Sequence, residues 1–290
     1  VSCLVGSEMC IRDRWRPVDP THDGGRPLSV FKLMRIVLLL SIFFVILFGT
    51  WLTEKRMAAW DRPILVTVYP VVADGSPATD RLVRSLDADD FDDVNEFFAR
   101  AARPYGFTVS PAFRFQLAEP LSEAPPEPPD RHAFTAIAWW SLKMRWWAWR
   151  RDWNDGLITP DIQMFVLYHG VRGNSELGIS VGMRKGRYGI VKAFASRQLL
   201  PKNNVVFTHE LLHVLGATDK YVMSTGEPVF PDGYAEPDRV PLLPQRYAEI
   251  MGGRIPLDYE RSAMPASLEQ CRIGKTTAVE IGFFARLQDS

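Results

Sequence analysis

Apolar positions along the chain fall into one long uninterrupted run, several short β-branched runs, and segments where they recur at helical spacing. From Ile36 to Thr53 no residue is charged, and Leu, Ile, Val and Phe dominate, as in Leu38–Phe48. About 18 to 20 such residues suffice for a helix to cross the hydrocarbon core of a bilayer. The run has no polar face, which fits a core helix poorly. A cleavable signal peptide has a shorter apolar core ending in small residues, whereas this run ends at Trp51-Leu-Thr-Glu-Lys55, so an uncleaved anchor over residues 33–53 is expected. Arg35, with Lys32, favours a cytoplasmic amino end, although Lys55 and Arg56 on the far side weaken that asymmetry. Residues 1–32 show no periodicity and are expected to be disordered or artefactual. Ser2–Arg14 looks like translated adaptor sequence, and Met34 is a credible start.

Beyond the anchor the periods alternate between strand and helix. Pro63–Val72 is β-branched and bounded by prolines and Asp74-Gly75, a strand. Asp87–Arg103 places Phe91, Val94, Phe97 and Phe98 at helical spacing, with carboxylates first and arginines last, as the helix dipole favours. Phe107–Leu117 reads as a strand, and Glu119–Asp130, with five prolines, as a loop. Asp161–His169 is a strand stopped by Gly170. Leu177–Met183 and Tyr188–Ala195 form two more around Arg184–Arg187, Asn203–Leu215 is a helix, and Ser267–Phe284 a closing helix. The pattern predicts an α/β (α+β) domain over 57–290 with a mixed, twisted sheet.

Residues 133–153 combine six tryptophans with Lys143, Arg145, Arg150 and Arg151, and Leu142, Trp146, Trp149 and Trp153 share one helical face. Two readings stand: a helix at the membrane interface, where indoles and basic residues both sit well, or a helix whose tryptophans pack on the sheet while its arginines stay wet.

Charge narrows little, since 34 basic residues balance 34 acidic ones, but with no basic run nucleic acid is not the expected partner. Cys3, Cys10 and Cys271 are too few for a disulfide framework. Cys271, alone in the folded part, reads as an unpaired thiol.

The chemistry concentrates in Val205–Asp219. His209, Glu210 and His213 form an HExxH motif, and the i, i+4 spacing stacks both imidazoles on one helix face, where they can grip one metal ion. Glu210 then lies beside the metal, where a carboxylate can deprotonate a water that the ion has acidified. Catalytic zinc usually has three protein ligands. Gly216 lets the chain leave the helix in a left-handed conformation and turn back, so that Asp219 can reach the same ion. Glu227, Asp232 and Glu236 are rival third ligands, but they lie among prolines. His169, at a strand end, is either a ligand or a hydrogen-bonded structural residue.

The string HExxHxxGxxD resembles the metzincin clan of zinc peptidases, in the snapalysin-like branch where aspartate replaces the third histidine. The resemblance covers about residues 160–285. It implies a metzincin-like zincin domain with zinc held by His209, His213 and Asp219, and Glu210 as general base and acid. It also implies a methionine turn, for which Ala248–Gly253 is the candidate with Met251 as its methionine. Where some metzincins carry a tyrosine two positions after that methionine, this chain has Gly253, which leaves the oxyanion partner unassigned. The clan's upper cleft edge, a strand that pairs with extended substrate, falls to Tyr188–Ala195. The expected function is that of a membrane-anchored, extracytoplasmic zinc metalloendopeptidase acting on a peptide or protein substrate. The alternatives are a zinc amidase of the cell envelope, or a non-enzymatic membrane-associated interaction protein with a structural metal site.

Overall fold

The computed structural model describes residues 30–106, 108, 111–127, 129, 134–152, 157–171, 180–183 and 187–283. The chain divides into two compact units, Val1–Trp51 and Leu52–Ser290. Helix α1 spans Val30–Ala59, and its first part, Val30–Gly49, is 20 residues of mean hydropathy 2.6, long and apolar enough to cross a membrane. The expectation for residues 1–29 lies outside the described residues.

In the second unit the order is β1 (Ile64–Val72), α2 (Pro77–Arg84), α3 (Asp92–Ala102), β2 (Phe113–Leu117), α4 (Phe134–Asp152), β3 (Ile162–His169), β4 (Val181–Met183), β5 (Tyr188–Phe194) and α5 (Leu200–Leu215). Short pieces follow: β6 (Ala248–Glu249), β7 (Ile255–Pro256), β8 (Ser262–Ala263), β9 (Cys271–Arg272) and α6 (Lys275–Glu280). The main sheet has the order β2-β1-β3-β5-β4, parallel throughout except for β4, which runs antiparallel to β5 and ends the sheet. It is therefore a mixed sheet in an α/β unit, as the alternation of periods predicts.

Strand periodicity sorts the core into two layers. Val66 and Val68 of β1, Ile162, Met164 and Val166 of β3 and Val191 of β5 face the layer that also holds Val94, Phe97 and Phe98 of α3 and Leu211, Leu212 and Val214 of α5. The alternate residues Tyr69, Val71, Phe165, Tyr188 and Ile190 face Trp140, Met144 and Trp147 of α4. Helices thus cover both faces, which suits strands as continuously apolar as these. Trp60 closes one end of the first layer. Its ring lies 5.3 Å from Phe283 and 5.8 Å from Phe98, and its indole N–H donates to the Ile281 carbonyl at 2.8 Å.

Two expectations are corrected here. Residues 267–283 do not form one helix. Cys271–Arg272 pairs with β6, Gly274 precedes α6, and helix is limited to Lys275–Glu280, because pairing with Ala248–Glu249 interrupts it. Tyr188–Phe194 does not edge the sheet either, since β5 is paired on both sides and the edge falls to β4. The strand expected from Phe107 forms only over Phe113–Leu117, with 107, 109 and 110 outside the described residues, as are 177–179 of the β4 expectation and 184–186 of its turn.

Candidate metal centre

Helix α5 begins with Pro201 in its first turn, where the missing N–H costs nothing. Two asparagines then fix it in place. Asn203 brackets Phe194 at the end of β5, accepting from its N–H at 3.0 Å and donating to its carbonyl at 2.9 Å. Asn204 donates to the Asp90 carbonyl at 2.8 Å and to the Asp93 carboxylate at 2.7 Å, tying α5 to α3. The helix stops at Gly216, whose φ of 116° is a left-handed cap that sends the chain back towards the imidazoles.

His209 and His213 project from one face of α5 with ring centroids 4.8 Å apart. His209 Nδ1 lies 2.9 Å from the Ile250 carbonyl, and His213 Nδ1 2.9 Å from the Ala217 carbonyl. A carbonyl only accepts, so each Nδ1 carries its proton and each ring turns Nε2 inward, where it donates to a carboxylate if protonated and offers a lone pair to a cation if not. Both Nε2 atoms meet one oxygen, Asp219 Oδ1, at 3.2 and 3.1 Å. Three acceptors on one point are satisfied only by protonating a ring or by a cation between them. Ligands about 2.0–2.1 Å from a tetrahedral zinc lie roughly 3.3 Å apart, so these spacings fit such an ion. The group His209, His213 and Asp219 can hold a metal ion.

Burial would raise the Asp219 carboxyl, but hydrogen bonds from both histidines hold it well below the usual carboxylate range. Burial would likewise lower His209, yet Asp219, Glu210 and the Ile250 carbonyl raise it. Glu210, one residue along, is pushed up by burial against the pull of the two imidazoles and the Gly182 amide. Its Oε2 is buried without a partner among the described residues. An unsatisfied carboxylate oxygen beside a cation site is poised to meet something that is not protein.

The turn around Met251 supports two of the three ligands through backbone atoms. Ile250 provides the carbonyl to His209, and Met251 the carbonyl to the N–H of Lys220 at 2.9 Å, directly after Asp219. Met251 is fully buried. The turn is held from inside by Glu249, wholly buried, whose carboxylate accepts from Gly252 N at 2.8 Å, Gly274 N at 3.1 Å and Thr277 Oγ1 at 2.8 Å. On the other flank of Asp219, Lys220 Nζ and the N–H and hydroxyl of Thr218 all donate to Glu280 of α6.

Edge strand β4 lies directly over α5. A methyl on Gly182 would sit 2.6 Å from His213 Cβ and closer still to the Glu210 carbonyl oxygen, so only glycine admits this approach. On the other side of His209 a cavity of about 210 Å³ is lined by Val205, Val206, Ile250 and Met264, with Tyr221 and Arg254 at its polar points.

A scan against protein-family models and a search of curated proteins each find no match to the chain. The site therefore rests on its own geometry. The rival carboxylates are engaged elsewhere: Glu227 accepts from Ser262 at 3.0 Å, Asp232 from Thr276 at 2.6 Å, and Glu236 pairs with Arg246. His169 is outside the cluster, its pKa lowered by burial and its Nε2 without a partner among the described residues. Sequence reasoning missed the carbonyls of Ile250, Ala217 and Met251, which carry no side-chain signal. It also missed Glu249 and the Lys220–Glu280 pair, where a carboxylate amid apolar residues was the available clue. Gly182 was legible only as a glycine inside a strand pattern.

Proposed function

We propose that the chain is a membrane-anchored zinc metalloendopeptidase of metzincin type. The observation that carries the reading is the convergence of three acceptors, His209 Nε2, His213 Nε2 and Asp219 Oδ1, beside a buried Glu210 whose Oε2 has no protein partner. Two imidazoles and a carboxylate are a zinc donor set that leaves room for water and substrate. Zinc, when bound, acidifies water and polarises a carbonyl. Glu210 would take the proton of the attacking water and deliver it to the leaving amine, a role open to its unpartnered Oε2. The Gly182 amide orients that carboxyl. An extended peptide adds to the edge of β4 by backbone pairing, and an apolar side chain enters the cavity between Val205, Ile250 and Met264. With α1 as anchor, the second unit works outside the cytoplasm, on peptide or protein substrates of the cell envelope or beyond.

Zinc per molecule and peptide hydrolysis, measured on the full chain in detergent, test this. Wild type is expected to hold one zinc and to cleave an unstructured protein, Glu210→Ala to keep the zinc and lose cleavage, and Asp219→Ala to lose both. Retention of zinc by Asp219→Ala overturns the three-ligand site. Full occupancy in wild type without hydrolysis of peptides or amide crosslinks favours a structural metal in an interaction protein.

A further inference from the structure

We infer that α4 is a second membrane contact, docking on the anionic lipid interface of the bilayer that α1 crosses. Helix α4 has two apolar faces. Trp140, Met144 and Trp147 are buried against Tyr69, Phe165 and Tyr188 of the sheet. On the opposite side Trp139, Leu142 and Trp146 stand 61%, 59% and 57% exposed. Their i, i+3, i+7 spacing makes one continuous stripe. A helix that has satisfied its packing on one face gains nothing in water from two further tryptophans and a leucine on the other.

The charges beside the stripe identify what covers it. Lys143, Arg145 and Arg150 are all exposed, the Arg150 guanidinium lies 4.9 Å over the Trp146 ring, and no Asp or Glu occurs from Arg131 to Arg151. Indoles at the level of the headgroups, flanked by the exposed Lys143 and Arg150, match an anionic bilayer interface. The covalent tether through α1 supplies a high local concentration of lipid. Since α4 and α5 lie on opposite faces of the sheet, docking places the sheet between the bilayer and the metal centre. The cleft then faces away from the lipid, towards proteins beyond the membrane surface.

The proposal rests on α1 as the anchor, and the test separates the two. The full chain, with Cys3 and Cys10 replaced by serine, is assembled in nanodiscs of phosphatidylcholine and phosphatidylglycerol. An environment-sensitive fluorophore is placed in turn at Leu142→Cys, Phe43→Cys and Tyr259→Cys, with buried Cys271 left in place. Docking predicts a blue-shifted emission at 142, quenched by lipids whose nitroxide lies about 5–10 Å deep, with position 259 unaffected. Lys143→Gln and Arg150→Gln are each expected to weaken docking about fivefold, from ~1 kcal/mol per basic residue at an anionic surface. Lipid quenching at 43 with a water-like signal at 142 overturns the docking and leaves the anchor standing. Water-like signals at both positions overturn both. Self-quenching between two copies labelled at 142, without lipid quenching, assigns the stripe to a dimer contact and also overturns the proposal.

Discussion

Gly182 is the position where one methyl group reports on the metal centre without replacing a ligand. It pairs with Gly189 across β4 and β5, so the two glycines share a sheet face and a register. An added Cβ at 182 meets backbone and a helix-borne Cβ, His213 Cβ at 2.6 Å. Restoring an ordinary carbon–carbon contact of about 3.6 Å requires β4 and α5 to part by about 1 Å. An added Cβ at 189 meets only Met164 Sδ and Cε, both at 2.8 Å, the far end of a flexible side chain that can swing aside. Overpacking against rigid neighbours costs about 1–3 kcal/mol, which lowers Tm by roughly 3–10 °C in a unit of this size. Gly182→Ala is expected to fall in that range and to lose metal affinity and peptide hydrolysis, since the displaced strand takes its amide away from Glu210. Gly189→Ala is expected to stay within about 3 °C of wild type with metal affinity unchanged. Calorimetry with and without chelator and a competitive zinc titration read both. Equal behaviour of the two variants, or a Gly182→Ala protein that binds metal like wild type, would refute the claim that this strand contact shapes the site.

Other outcomes follow from burial and charge. Burial pushes the Asp93 carboxyl up to about 6, against the hydrogen bond from Asn204. A raised carboxyl stabilises the fold below the unfolded value near 3.8 and loses that contribution as pH rises through about 6. Asp93→Asn should therefore melt like wild type at pH 4 and be more stable at pH 8, by about 1–2 kcal/mol once solvent screening of this half-exposed group is discounted. Glu280→Gln strips the counter-ion from Lys220, which is only 7% exposed. It should cost about 2 kcal/mol, less than a fully buried pair because Glu280 keeps some solvent, and should weaken zinc binding through the loop that carries Asp219. Burial pushes the Cys271 thiol up to about 12, so a thiol reagent at pH 8 should label it only in denaturant, and rapid native labelling would contradict its place in the core.

Helix α5 was readable because its signal is local: HExxH, the glycine cap and the aspartate lie within eleven residues, and helix geometry does the rest. The strands β1, β3 and β5 were readable for the same reason. Helix α2 went unread although Ser76 and Pro77 mark its start, because eight residues carry too little periodicity. The closing helix failed for the opposite reason. Its residues tolerate helix, but Glu249, some 25 positions away, captures the Gly274 N–H, and β6 captures Cys271–Arg272. Tertiary pairing overrode propensity there. For α4, two rival readings stood because its tryptophans lie on more than one face of the helix. Trp140 and Trp147 pack on the sheet while Trp139 and Trp146 do not.

The latch between Lys220 and Glu280 also bears on how the protein is made. Chains emerge amino end first and fold as they lengthen. Both imidazoles and Glu210 are synthesised long before residues 249–280, yet Asp219 is held in place by the Met251 carbonyl and by Glu280. A nascent chain thus carries two histidines without the brace for their third partner, and the centre is completed only once Glu280, some 60 residues beyond Asp219, has left the ribosome. Chains halted short of Glu280 are expected to take up a metal ion poorly, so that occupancy of the centre reports on completion of the fold around it.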